Sequence, residues 1–77
     1  MTSSIETIQS PMSGRVIKLH VLPGESFEAG DALLTLECMK MEIPVECEYS
    51  GELVSMRMSI GDDVAEGDVI GSFRQRP

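Results

Sequence analysis

The 77-residue chain has one histidine, His20, and two cysteines, Cys38 and Cys47, with no CxxC pair. A zinc site or a histidine-based catalytic triad has little to be built from. Basic residues are also scarce, six against thirteen acidic ones, for a formal net charge of -7. Binding to a phosphate backbone needs clustered lysine and arginine, so nucleic acid is excluded as a partner. The acidity suits solubility and a partner with a positive docking face. Long hydrophobic runs are missing too. The longest are Ala32-Leu33-Leu34 and the alternating stretch from Val16 to Leu22, well below the roughly 18 residues of a membrane span. Residues 1–6, MTSSIE, contain neither the basic region nor the apolar core of a signal peptide. These features lead to the expectation of a cytoplasmic protein without membrane insertion. A mitochondrial or plastid protein that had lost a transit segment would look the same.

A chain of this length buries only about 60% of its unfolded surface. That suffices for one domain but not for an enclosed catalytic cavity, so a self-sufficient enzyme is not expected. With 42% hydrophobic and 25% charged residues, the composition is nevertheless that of a folded domain.

Glycine supplies the organising signal. Gly14 and Gly51, Gly24 and Gly61, and Gly30 and Gly67 form three pairs, each separated by 37 residues. The same offset relates Ser13 to Ser50, Val16 to Leu53, Ile17 to Val54, Asp31 to Asp68, Leu33 to Ile70 and Leu36 to Phe73. One half is built twice. Within each half the pattern alternates: Ile17, Leu19 and Val21 are set against Lys18 and His20, and Val54, Met56 and Met58 against Ser55 and Arg57. Period two predicts half-buried strands, punctuated by turns at Pro23-Gly24, Gly30-Asp31, Ile60-Gly61 and Gly67-Asp68. Positive φ is expected at the turn glycines.

The predicted fold is all-β, a flattened barrel-sandwich of two small antiparallel sheets with seven or eight strands and an internal quasi-two-fold axis. Leu19, Val21, Leu34, Leu36, Ile43, Val45, Val54, Met56, Ile70 and Phe73 are the expected core. Met58 is read as packing and His20 as a surface or edge residue. Residues 10–74 are expected to form the domain, between a flexible segment 1–9 and a tail 75–77.

Between the halves runs Glu37-Cys38-Met39-Lys40-Met41-Glu42. Applying the offset to Lys40 leads to residue 3 or residue 77, both chain ends. Lys40 should therefore sit on a hairpin at one pole, with the termini together at the other. Such a lysine can be a solvated turn residue. It can equally be a presented amine, suited to acylation and collared by the adaptable thioethers of Met39 and Met41. The hairpin would place Cys47 opposite Ala32, away from Cys38, so the two thiols are expected to be free.

The lysine segment resembles the attachment sequence of the biotinyl/lipoyl carrier family, in which a Met-Lys-Met triplet carries biotin in amide linkage. The resemblance extends from Ser10-Pro11-Met12-Ser13-Gly14 through Gly24, Gly30-Asp31, Ser50-Gly51, Gly61-Asp62 and Gly67-Asp68 to Phe73. Lipoyl carriers usually have Asp before the lysine and often Ala after it, so Met39 and Met41 favour biotin. The chain departs from the family at Cys38, where alanine is usual, and at Cys47-Glu48, where Ala-Pro is common. The even repeat leaves no room for the thumb loop of one bacterial carrier type.

The resemblance implies a biotin carboxyl carrier, non-catalytic in itself, with biotin on Lys40 and with Met39 and Met41 as flanking recognition residues. It implies three partners: a biotin protein ligase, a biotin carboxylase and a carboxyltransferase. The parent enzyme would be a carboxylase, decarboxylase or transcarboxylase, and the isolated domain is expected to be a monomer. A lipoyl carrier of an acyl-transfer complex and an unmodified assembly module are the alternatives.

Overall fold

A computed structural model describes residues 5–76. Eight strands follow in order: β1 (Ile5–Gln9), β2 (Gly14–Leu19), β3 (Ser26–Phe27), β4 (Ala32–Cys38), β5 (Met41–Glu46), β6 (Gly51–Met56), β7 (Asp63–Val64) and β8 (Val69–Gln75). They form two four-stranded sheets, ordered β1-β8-β6-β3 and β5-β4-β2-β7, with every pairing antiparallel. The all-β expectation is met. Moving each strand of the first half by one repeat gives β1 to β5, β2 to β6, β3 to β7 and β4 to β8, which converts one sheet order into the other. Each sheet thus draws two strands from each half.

The turns repeat as faithfully as the strands. Gly24 N donates to Leu53 O and Gly61 N to Val16 O, both at 2.8 Å. Asp31 Oδ2 accepts from Glu28 N and Asp68 Oδ2 from Ala65 N, both at 2.9 Å. The turn glycines have the expected positive φ, 92° at Gly30 and 89° at Gly67, a region that costs a residue without a Cβ nothing in sterics.

The core lies between the sheets, where Val16, Leu33, Leu34, Leu36, Leu53 and Ile70 are wholly buried. Six of the ten expected core residues are buried: Val21, Leu34, Leu36, Val45, Ile70 and Phe73. Leu19, Ile43, Val54 and Met56 are only half-buried, while Val16, Leu33 and Leu53 take the deepest positions. The cause is a set of β-bulges. The β2–β4 register skips between Val16 and Lys18, and the β6–β8 register between Leu53 and Ser55. The inserted residue, Ile17 or Val54, shifts the facing of the strand, so Val16 and Leu53 turn inward. A second pair of bulges skips Leu33 in β4 and Ile70 in β8.

Two boundaries differ from the sequence reading. Ile5–Gln9 is strand β1, paired with β8 from Ile5 opposite Arg74 to Gln9 opposite Val69, rather than part of a flexible segment. Its alternation is hidden because Ile8 is the only buried side chain in it. At the other end β8 runs on to Gln75, one residue into the expected tail. The expected meeting of residues 3 and 77 lies outside the described residues.

Candidate functional site

β4 and β5 form a hairpin closed by two residues, Met39 and Lys40, with Cys38 opposite Met41. Met39 has φ 53° and Lys40 φ 66°; paired positive φ in a two-residue loop is the signature of a type I′ turn, whose twist matches that of the flanking strands. Asn-Gly is the usual choice for such a turn. Two ordinary L-residues there are held in a left-handed conformation that each disfavours.

The strands beneath supply the constraint. β4 is an inner strand, paired with β5 on one side and β2 on the other, and Leu33, Leu34 and Leu36 fix it in the core. Six cross-strand pairs lead from Ala32 opposite Glu46 up to Cys38 opposite Met41. The tip projects beyond this anchored ladder: Met39 is 90% exposed and Met41 63%, and Lys40 is exposed. Among the described residues no hydrogen bond or ion pair engages the Lys40 ammonium. The structure therefore brings Met39, Lys40 and Met41 together at one exposed tip.

A row of charges crosses the sheet just below the tip. Glu42 stands opposite Glu37, Glu37 opposite Arg15, and Arg15 opposite Asp63. Like charges directly opposed on a sheet are unfavourable, and here cations flank them. Arg15 Nε lies 3.4 Å from Asp63 Oδ1, and Lys18 Nζ lies 3.9 Å from Glu42 Oε1. These pairs are well exposed, so their weight is on the local field and not on stability.

Beside the hairpin opens a cleft of about 460 Å³. Ser13, Gly14 and Arg15 from the start of β2 and Asp63 and Val64 from β7 form one wall; Glu37, Cys38, Met39 and Lys40 form the other. The sequence reading did not assign β2 and β7 residues to the site. No local motif marks them. The repeat relates β2 to β6 and not to β4; what brings β2 and β7 beside the hairpin is the sheet order β5-β4-β2-β7.

The remaining candidates are quickly placed. Cys38 is half-buried and Cys47 buried, and both thiols are free. Glu46, not Cys47, stands opposite Ala32, a one-residue correction caused by the bulge at Leu33. His20 is exposed, with Nε2 2.7 Å from Thr35 Oγ1. Met56 and Met58 pack against the core. What the arrangement offers chemically is one accessible primary amine on a rigid stalk, and an amine of that kind fits a covalently attached acyl group.

Comparison with known proteins supports that reading. The family profile for biotin/lipoyl attachment, described as "Biotin-requiring enzyme", matches residues 6–73. The chain is 41% identical over 64 residues to a biotin/lipoyl attachment protein of Bacillus subtilis, covering 83% of this chain and 88% of that one. It is 35% identical over 65 residues to the biotinylated protein TB7.3 homolog of Mycobacterium leprae, covering 84% and 92%. Among solved structures, urea carboxylase of Kluyveromyces lactis superposes with a TM-score of 0.84 at 30% identity, over 95% of this chain but only 6% of that much longer one. The chain belongs to the biotin/lipoyl attachment domain family.

Proposed function

We propose that this chain is a biotin carboxyl carrier and that biotin is attached in amide linkage to Lys40 Nζ. The observation that carries the proposal is the tip: an exposed lysine, unpaired among the described residues, held at positive φ between two exposed methionines. The relative described as biotinylated, and the carboxylase of which a 6% segment superposes on this chain, support biotin as the cofactor.

In this reading a biotin protein ligase activates biotin as its adenylate and Lys40 Nζ attacks the acyl carbon: the amide C–N bond forms, the C–O bond to AMP breaks, and the amine gives up a proton. Met39 and Met41 offer apolar, deformable contacts by which the ligase, and later the carboxylase and carboxyltransferase, read the tip. The amide-linked group supplies the carboxyl-carrying chemistry when bound. The chain's own contribution is positional. The ladder below Cys38 keeps the backbone from folding into a partner's site, and the tether raises the local concentration of the arm at two successive active sites. The chain would thus be a non-catalytic component of a larger biotin-dependent enzyme, acting in the cytoplasm.

The test is the intact mass of the protein after co-expression with biotin protein ligase and free biotin. One biotinyl adduct, mapped to Lys40, is expected, and none on Lys40→Arg, because a guanidinium cannot serve as the nucleophile. A lipoyl adduct on the parent chain would replace this reading with the lipoyl one. A biotin adduct on Lys40→Arg would remove Lys40 from the site.

A further inference from the structure

We propose that Met39 and Met41 form an oxidation site through which hydroperoxides control the loading of Lys40; the regulatory half of this inference rests on the carrier reading above. The chain has six methionines, and the five described ones fall into two groups. Met12, Met56 and Met58 are half-buried and pack against the core. Met39 and Met41 are 90% and 63% exposed on either side of the lysine. A peroxide must reach a sulfur lone pair to react, so exposure selects the site. The sulfur displaces on the distal peroxide oxygen: an S–O bond forms and the O–O bond breaks. The thioether is oxidised by two electrons to the sulfoxide, and the peroxide is reduced to water or an alcohol.

The fold should not register the change. Neither side chain supports the core, and the turn is held by the β4–β5 ladder. Recognition should register it strongly. A partner surface shaped for two thioethers would have to bury two sulfoxide oxygens without matching donors, which opposes binding. Oxidation would thus block loading while leaving the scaffold intact, and a methionine sulfoxide reductase would reverse it. Cys38, opposite Met41 in the ladder, is half-buried, so its thiol state has to be followed in parallel.

The experiment treats the unmodified chain with limiting hydrogen peroxide. It then follows each methionine and cysteine by peptide mapping, and the rate of biotin ligation by intact mass. Met39 and Met41 should oxidise well before Met12, Met56 and Met58, and ligation should slow by about tenfold. Reductase with dithiothreitol should restore the rate, whereas dithiothreitol alone should not. The proposal is overturned if Met39 and Met41 react no faster than the packed methionines, if the oxidised chain loads at the untreated rate, or if dithiothreitol alone restores loading. If the untreated chain accepts no biotin at all, the carrier reading fails and regulation falls with it. In that case selective oxidation of the tip is still read from the peptide map.

Discussion

Replacing Met39 by asparagine should stabilise the domain while slowing biotin ligation. Met39 sits at φ 53°, where an L-residue incurs a penalty of about 1–2 kcal/mol. Asparagine tolerates this region far better and is the preferred first residue of a type I′ turn, so it should recover roughly half of that penalty, ~0.5–1 kcal/mol. Set against this is the packing lost with the methionine. Burying a whole methionine side chain contributes about 1.5–3 kcal/mol, and this one is 90% exposed, so only about a tenth of that, ~0.2–0.3 kcal/mol, is at stake. The net gain is about 0.2–0.8 kcal/mol, which for a domain of this size corresponds to a rise in Tm of about 1–6 °C. Thermal unfolding by circular dichroism of the unmodified proteins measures the first effect, and ligation progress curves measure the second. A fall in Tm would mean that the turn is not under the backbone strain inferred for it. An unchanged ligation rate would mean that the Met39 thioether is not read.

Other consequences are simpler. A Cβ on Gly51 would run into the Arg74 carbonyl oxygen and lie 3.1 Å from Phe73 Cδ2, whereas on Gly14 the nearest atom is Glu37 O at 3.0 Å. Gly51→Ala should therefore cost about 1–3 kcal/mol by overpacking and Gly14→Ala clearly less; equal urea midpoints would refute the comparison. Leu33→Ala, at a wholly buried position, should cost about 2–5 kcal/mol, detected as early loss of the unfolding transition. Asp31→Ala and Asp68→Ala each remove a 2.9 Å turn hydrogen bond. Each should cost about 0.5–1.5 kcal/mol, with similar shifts in urea midpoint and an unchanged m-value; grossly unequal losses would break the equivalence of the two halves.

Much of this architecture could be read before any coordinates. The glycine offset fixed which strands are mates, and the lysine segment fixed the hairpin. What alternation could not supply was facing, because it assumes an uninterrupted ladder. Four bulges break the ladders, at Ile17, Leu33, Val54 and Ile70, and each moves neighbouring side chains from one face toward the other. The clue was present in Val16-Ile17 and Leu53-Val54, adjacent apolar pairs at matching places in the two halves. A doublet repeated at one offset is what a bulge common to both halves leaves in an alternating strand. β1 escaped notice for another reason: with one buried side chain, its place in the fold comes from backbone pairing to β8, which has no side-chain signature. The cleft wall from β2 and β7 was likewise legible only through topology.

The internal symmetry also separates what the fold requires from what it merely permits. Turn glycines, turn aspartates, the buried apolar pairs Val16/Leu53, Leu33/Ile70 and Leu36/Phe73, and even bulges recur at the 37-residue offset, so packing and backbone geometry account for them in both halves. The Met39-Lys40 turn stands outside that accounting. It joins β4 of the first half to β5 of the second, its side chains support no part of the core, and Met39 could be exchanged for a better turn former at a packing cost of only about 0.2–0.3 kcal/mol. Where packing enforces a poor local choice, the choice is explained by the fold; here nothing enforces it, and the sequence still places two residues of positive φ at an exposed tip of the sheet. A local conflict that the global structure does not demand calls for a cause outside folding. Under the proposed function, the residue types at this tip, an amine between two thioethers, supply that cause in recognition and acylation by another protein.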